Sequence, residues 1–363
     1  AAMEFFADTF GEYPFLAEKY VTATHTSNSG MEHQTCTSMP DLDLLPDGTG
    51  RRNIHELAHS WFGNRVTMQH FDHLWLNEGW ASYCEALFYE HRDGRAAYHA
   101  YINAWDTPSR RLNDTTPLVN TEADDFSDAL VYDKGGFVLH MLRWVMGDAA
   151  FFQGTRDYLA AHGYDNALTS DFEAAMEGQH GSDLSWFFNQ WAYNAGRPTY
   201  SYSWTPGGTP GARVVNLNIT QTQGGSPFRM PIEVVVLCSG APDQTFIVDN
   251  TTANQNFVLN LGAAEPFEVQ FDPNNYVLKY MSAATTPGNT VLSHVRGNAA
   301  GNTIEVAWTG GVANAVGYQL MTSTDAATWT LAANTDTLGV GATTRSEEHR
   351  VGKERRSRWS PYH

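Results

Sequence analysis

Three cysteines are too few and too scattered to build a disulfide frame: Cys36, Cys84 and Cys238 lie far apart and are odd in number. None has zinc-finger spacing, and they read as buried free thiols. Positive charge is scarce as well. Lys and Arg total 22 against 40 Asp and Glu, a formal net charge of −18. That balance argues against nucleic acid as a partner and against an anionic membrane surface. No apolar run approaches the ~18–20 residues that span a bilayer, so no transmembrane segment is expected. No signal peptide is visible either. Apolar content, in contrast, is ample: 42% of the 363 residues are hydrophobic and 13% aromatic, enough for the cores of two or three domains.

The pattern along the chain changes near residue 198. Before it, helical periodicity and large aromatics dominate, after a strand-like stretch around Tyr20 to Thr26. Helices are expected over Leu74 to Glu90, Phe137 to Met146, Ala149 to His162, Ser170 to Gln179 and Leu184 to Ala192, with Thr169 or Ser170 as a cap. After Pro198 come short alternating strands, among them Arg213 to Gln221, Ile232 to Cys238 and Asn256 to Leu261. The expected fold class is therefore multidomain α + β: a mainly α-helical domain over 1–197, then a small β-sandwich domain over 198–282. Strands over 289–344 fit a truncated fibronectin type III-like module, with Trp308, Tyr318 and Trp329 as core aromatics. The last stretch, 345–363, breaks with the rest. It holds six Arg or Lys and three Glu, a net of +3 that leaves −21 on residues 1 to 344. It reads as an adapter-derived, non-native tail and is set aside from functional reasoning.

The most informative run is Asn53-Ile-His-Glu-Leu-Ala-His-Ser-Trp-Phe-Gly63. At about 3.6 residues per turn, His55 and His59 project from one helix face, where two imidazoles can grip one metal ion. Glu56 then lies beside the metal as a candidate general base. Ile54, Leu57, Ala58, Trp61 and Phe62 form the apolar stripe that would bury this helix, with Gly63-Asn64 as its stop. Glu78 follows His59 after eighteen intervening residues, within Trp75-Leu-Asn-Glu-Gly-Trp-Ala81. That is room to end one helix, turn and start another carrying a third ligand. Three protein ligands leave a fourth position open for water, which marks a catalytic site and not a structural one.

Together these runs resemble the aminopeptidase N family of zinc peptidases (gluzincins), which includes leukotriene A4 hydrolase. Two further segments fit. Gly30-Met31-Glu32-His33 resembles the family's exopeptidase signature, with His33 where the family carries Asn. Val131-Tyr132-Asp133-Lys134-Gly135 resembles the segment that supplies a catalytic tyrosine. The likeness continues through Phe188-Asn-Gln-Trp191, Gly196-Arg-Pro198, Phe228-Arg-Met-Pro-Ile232 and Phe271-Asp-Pro-Asn274, roughly residues 1 to 280. It implies a thermolysin-like catalytic fold and one Zn²⁺ held by His55, His59 and Glu78. It implies Glu56 as general base to a zinc-activated water, and Tyr132 as oxyanion stabiliser. Gly30, Met31, Glu32 and His33 would bind substrate, with Glu32 on the free α-ammonium of a peptide. The family's large N-terminal domain is expected to be absent, since the chain opens on what resembles the first catalytic-domain helix.

Plainer readings stand beside these. Tyr132 can be a core tyrosine and Glu32 an exposed strand-edge glutamate. His33 can equally be a hydrogen-bonded structural histidine. His70, Asp72 and His73 fit loop capping better than a second metal site. A non-catalytic surface scaffold and a leukotriene hydrolase-like epoxide hydrolase are the alternative functions; the intact set of His55, Glu56, His59, Glu78 and Tyr132 argues against the scaffold. The appended module points to a secreted or cell-surface bacterial protein.

Overall fold

The computed structural model describes residues 1–41, 50–106, 115–119, 128–239 and 241–282, together with the backbone of six strands beyond residue 290. Two units emerge: Ala1–Arg197 with Asn275–Leu278, and Pro198–Asn274 with Lys279–His363.

The first unit is built on helices α1 (Ala2–Phe10), α2 (Arg51–Ala58), α3 (Trp75–Asp93), α4 (Arg95–Trp105), α5 (Gly135–Met146), α6 (Asp148–Ala161), α7 (Thr169–His180) and α8 (Ser185–Phe188). Two parallel strand pairs accompany them: β1 (Val21–His25) with β2 (Cys36–Pro40), and β3 (Val66–Met68) with β4 (Asp165–Ala167). Trp80 on α3 is the hub of the core. It stacks on Phe62 at 4.2 Å and 2°, and meets Phe10 of α1, Phe151 of α6 and Phe172 of α7 at 5.7–6.0 Å. Such ring pairs add about 0.5–1.5 kcal/mol each beyond area burial, so α3 is held from four directions. The ends of α3, α5 and α7 are set by Gly94, Gly147 and Gly181, all at positive φ.

Three local expectations are corrected. First, α2 ends at Ala58, not at Gly63. From His59 the chain passes into turns whose wider i→i+5 bonds run Asn64 N to His59 O and Arg65 N to Ser60 O. The apolar stripe is nonetheless buried throughout, because Trp61 and Phe62 turn back onto α1 and Trp80. Second, Leu168, not Thr169, precedes the first turn of α7, and Asp171 accepts its backbone N–H at 2.8 Å. The Thr169 hydroxyl is taken by tertiary bonds, donating to His73 Nδ1 and accepting from Trp75 Nε1. Third, Cys36 is exposed, since it opens an edge strand, whereas Cys84 and Cys238 are buried. Asn275–Leu278 packs in this unit: Tyr276 stacks on Trp144 at 3.9 Å, and His140 Nε2 donates to Asn275 O.

Between residues 198 and 282 the second unit holds two sheets. One has the order β11-β5-β6-β9, with β5 (Thr199–Thr209), β6 (Ala212–Gln221), β9 (Asn254–Gly262) and β11 (Tyr280–Met281). The other runs β10-β7-β8, with β7 (Met230–Ser239), β8 (Gln244–Asn250) and β10 (Glu265–Phe271). Alternation buries Val215, Leu217 and Ile219 on β6 and Ile232, Val234 and Val236 on β7. Beyond residue 290, β12 (Val291–Gly297), β13 (Thr303–Thr309) and β16 (Thr344–Glu348) form one sheet. β14 (Gly317–Ser323), β15 (Thr330–Leu331) and β17 (Arg356–Tyr362) form another, so paired backbone runs into the basic tail. The side chains of Trp308, Tyr318 and Trp329 lie outside the described residues. Among the described residues, no helix is long and apolar enough to cross a membrane.

Candidate active site

Two consecutive helices of the first unit bring three ligand atoms to one point. α2 presents His55 and, at its C-cap, His59, rings 4.8 Å apart, and Glu78 comes from the first turn of α3. Glu78 Oε2 lies 3.2 Å from His55 Nε2 and 3.3 Å from His59 Nε2. The outer ring nitrogens are both engaged: His55 Nδ1 with Glu85 Oε1 at 2.8 Å, His59 Nδ1 with Phe62 O at 2.9 Å. Those acceptors can only receive a proton, so in the neutral rings both Nε2 atoms aim lone pairs at a carboxylate oxygen. Such an arrangement is stable only with a cation or extra protons between the three atoms. Two imidazoles and one carboxylate, with a cavity on the fourth side, suit zinc.

The electrostatics carry the same message. Burial pushes His55 down, but its contacts with Glu78 and Glu85 more than offset this and raise its pKa to about 10. His59, also depressed by burial, is raised on balance by Glu78. Burial would raise Glu78, yet the two histidines hold it far below the usual carboxylate range. In the absence of metal, protons hold the site together.

A cavity of about 400 Å³ opens on these atoms, lined among others by Gly30, Met31, Glu32, Glu56 and Tyr132. Glu56, 6% exposed, has its pKa raised, first by burial, against the lowering influence of His55 and His59. A ligand oxygen of Glu32, one of Glu56 and a nitrogen of His59 all lie within 4.8 Å of one another. Gly30 leaves room for the Glu56 carboxylate: a Cβ there would fall 1.9 Å from Glu56 Oε1, and the Glu56 side chain would have to move. The backbone around it is held by the mutual bonds of Met31 and Ser38 and by Asn64 Nδ2 donating to Glu32 O at 2.9 Å. The Tyr132 ring lies 5.8 Å from that of His55, nearly parallel at 21°. Tyr132 sits in a seven-residue π turn, Asp128–Lys134, that runs into α5; such turns recur at functional sites. His33 is not part of the cavity lining, and its Nδ1 lies 3.1 Å from Ser38 Oγ.

Sequence reasoning missed the residues behind the ligands. Glu85, 3% exposed, shares its carboxylate between His55 Nδ1, the Tyr101 hydroxyl and Arg51 Nε at 3.5 Å. The available signal was spacing: Glu85 follows Glu78 by seven residues, two turns along one face of α3. Glu85→Gln keeps an acceptor for His55 and removes the charge. It should weaken zinc binding by about 10–100-fold, measured by competition with a chromogenic chelator, with little change in secondary structure. Unchanged affinity would show that this carboxylate does not support the ligand.

A model of the peptidase family M1 domain matches residues 1–191, and the chain belongs to that family. It is 31% identical over 220 residues to aminopeptidase N of Lactococcus lactis subsp. lactis, covering 55% of this chain and 26% of that protein. Identity is 35% over 155 residues to aminopeptidase N of Streptomyces lividans, with 39% and 18% covered. It is 32% over 224 residues to the alanine/arginine aminopeptidase of Saccharomyces cerevisiae, with 55% and 26% covered. The chain thus spans about a quarter or less of the length of these curated relatives. Among solved structures, Legionella pneumophila aminopeptidase A in complex with aspartic acid superposes with a TM-score of 0.62 at 21% identity, over 77% of this chain and 34% of that one. That likeness is one of fold, with mixed helix and sheet content.

Proposed function

We propose that this chain is the catalytic part of a zinc-dependent aminopeptidase that removes N-terminal residues from peptides. The observation that carries the reading is one cavity holding three convergent ligand atoms, the buried Glu56 carboxylate beside them, and a second carboxylate, Glu32, next to the Met31–Ser38 bridge. His55, His59 and Glu78 would hold the zinc ion. When bound, zinc would supply a Lewis acid that polarises the scissile carbonyl and lowers the pKa of water toward about 7. Glu56, a carboxylate buried beside the ligand atoms, takes the proton of the attacking water and passes it to the leaving amine. The Tyr132 hydroxyl donates a hydrogen bond where negative charge develops on the carbonyl oxygen. Glu32 accepts from the substrate's free α-ammonium, which turns a peptidase cleft into an exopeptidase. The relatives' names support the same reading.

The test is specificity for a free N-terminus. A charge-assisted hydrogen bond is worth about 1.5–3 kcal/mol, so Glu32→Gln should cut kcat/KM on unblocked peptides by roughly 10–150-fold. Acetylated peptides lack the charge, and their slow turnover should barely change. Equal turnover of free and acetylated peptides by the parent protein would mean an endopeptidase, with Glu32 structural only.

A further inference from the structure

We propose that the backbone contact between Gly79 and Gly135 is the spacer that positions Tyr132 over the ligand site, which makes both glycines positioning residues for the reaction. The inference deepens the reading above and rests on Tyr132 as the oxyanion donor. Gly79 directly follows Glu78 in α3, and Gly135 opens α5 three residues after Tyr132. A Cβ on Gly79 would lie 2.9 Å from both Cα and C of Gly135; one on Gly135 would lie 3.0 Å from Gly79 Cα. The obstructing atoms are backbone in two buried helices, so no side chain can rotate out of the way. Neither glycine has a positive φ. Each is therefore needed for distance, not for backbone conformation.

The contact closes a ring around the site. From Gly79 it passes to Gly135, then up the π turn to Tyr132. From there it crosses to the His55 ring at 5.8 Å and returns through Glu78, 3.2 Å from His55. Asp133 and Lys134, between Tyr132 and Gly135, are 8% and 0% exposed. The end of the π turn is thus clamped in the core and moves with the start of α5. Gly136 reinforces the register, since a Cβ there would lie 2.7 Å from the Trp105 ring, itself part of the cavity lining. A methyl group at 79 or 135 must push α3 and α5 apart, and the displacement falls on the distance between Tyr132 and the ligand set. A hydrogen bond made in the transition state is sensitive to such a shift, whereas Glu32 is grouped with Glu56 and His59, outside the α3–α5 contact.

The test compares Gly79→Ala and Gly135→Ala in the full chain, each alone and combined with Tyr132→Phe. Gly154→Ala serves as a packing control: its Cβ would lie 2.9 Å from Met176 Sδ, between α6 and α7. Alone, each variant should lose about 10–100-fold in kcat, with KM within about twofold and zinc content unchanged. In the Tyr132→Phe background the further loss should shrink to about twofold or less, because the group being misplaced is already gone. Gly154→Ala should lower thermal stability and leave kcat alone. An equal loss in both backgrounds, an unchanged kcat, or loss of zinc and fold together would each overturn the inference, since the contact would then act elsewhere or only hold the domain together. Failure of the parent reading looks different: Tyr132→Phe by itself would leave kcat untouched, and this inference would fall with it.

Discussion

Glu56→Gln should retain zinc and lose about 10²–10⁴-fold in kcat, the range expected for removal of a positioned general base. His55→Ala and Glu78→Ala should instead lose the metal. The contrast follows from where the atoms lie. His55 Nε2 and Glu78 Oε2 face one point, so removing either leaves two donors around an ion that wants three protein ligands. Glu56 lies to one side, against Gly30 and Glu32. Metal analysis after exhaustive dialysis is the measurement; equal zinc in all three variants would remove the assignment. Proton linkage adds a second readout. The metal-free His55 keeps its proton to about pH 10, and a ligating imidazole must give it up. Loading near pH 7 should therefore release protons, and zinc affinity should rise as pH rises through this range. Calorimetry in buffers of different ionisation enthalpy reads the proton count directly, and a count near zero would contradict the raised pKa.

Tyr132→Phe should lower kcat by about 10²–10³ with little change in KM, the cost of one oxyanion donor. The phenyl ring can keep its near-parallel place beside His55, so the variant removes the hydroxyl and little else. A change confined to KM would make Tyr132 a substrate-binding residue, and the mechanism would be wrong at that step. The proportion matters for the glycine pair as well, because the spacer can cost no more through Tyr132 than Tyr132 itself contributes.

Much of the helical unit is legible in the sequence because its signals are local. The stripe Ile54, Leu57, Ala58, Trp61 and Phe62 marks the buried face of α2 even though the regular helix stops at Ala58. Hydrophobicity nearly all round marks α3, and Gly94 marks its end. Cap chemistry was less reliable. Thr169 has the right chemistry for a helix start, but His73 and Trp75, almost a hundred residues earlier, claim its hydroxyl. A pattern rule sees neighbours in sequence and is blind to such competition.

At the site, the division is similar. Spacing alone put His55, Glu56 and His59 on one helix and offered Glu78 as the third partner, because helical periodicity is set by backbone geometry. Sequence also determined the acidic balance and the shift from helical to strand periodicity near residue 198. Tertiary structure decided everything that depends on two distant segments meeting. It turned His33 toward Ser38 and off the cavity wall, and set Glu85, Tyr101 and Arg51 behind His55. It pressed Gly30 against Glu56 and Gly79 against Gly135. The reason is that a motif specifies which atoms are available, whereas distances of a few tenths of an ångström between helices come from close packing of the whole core, which no single segment contains.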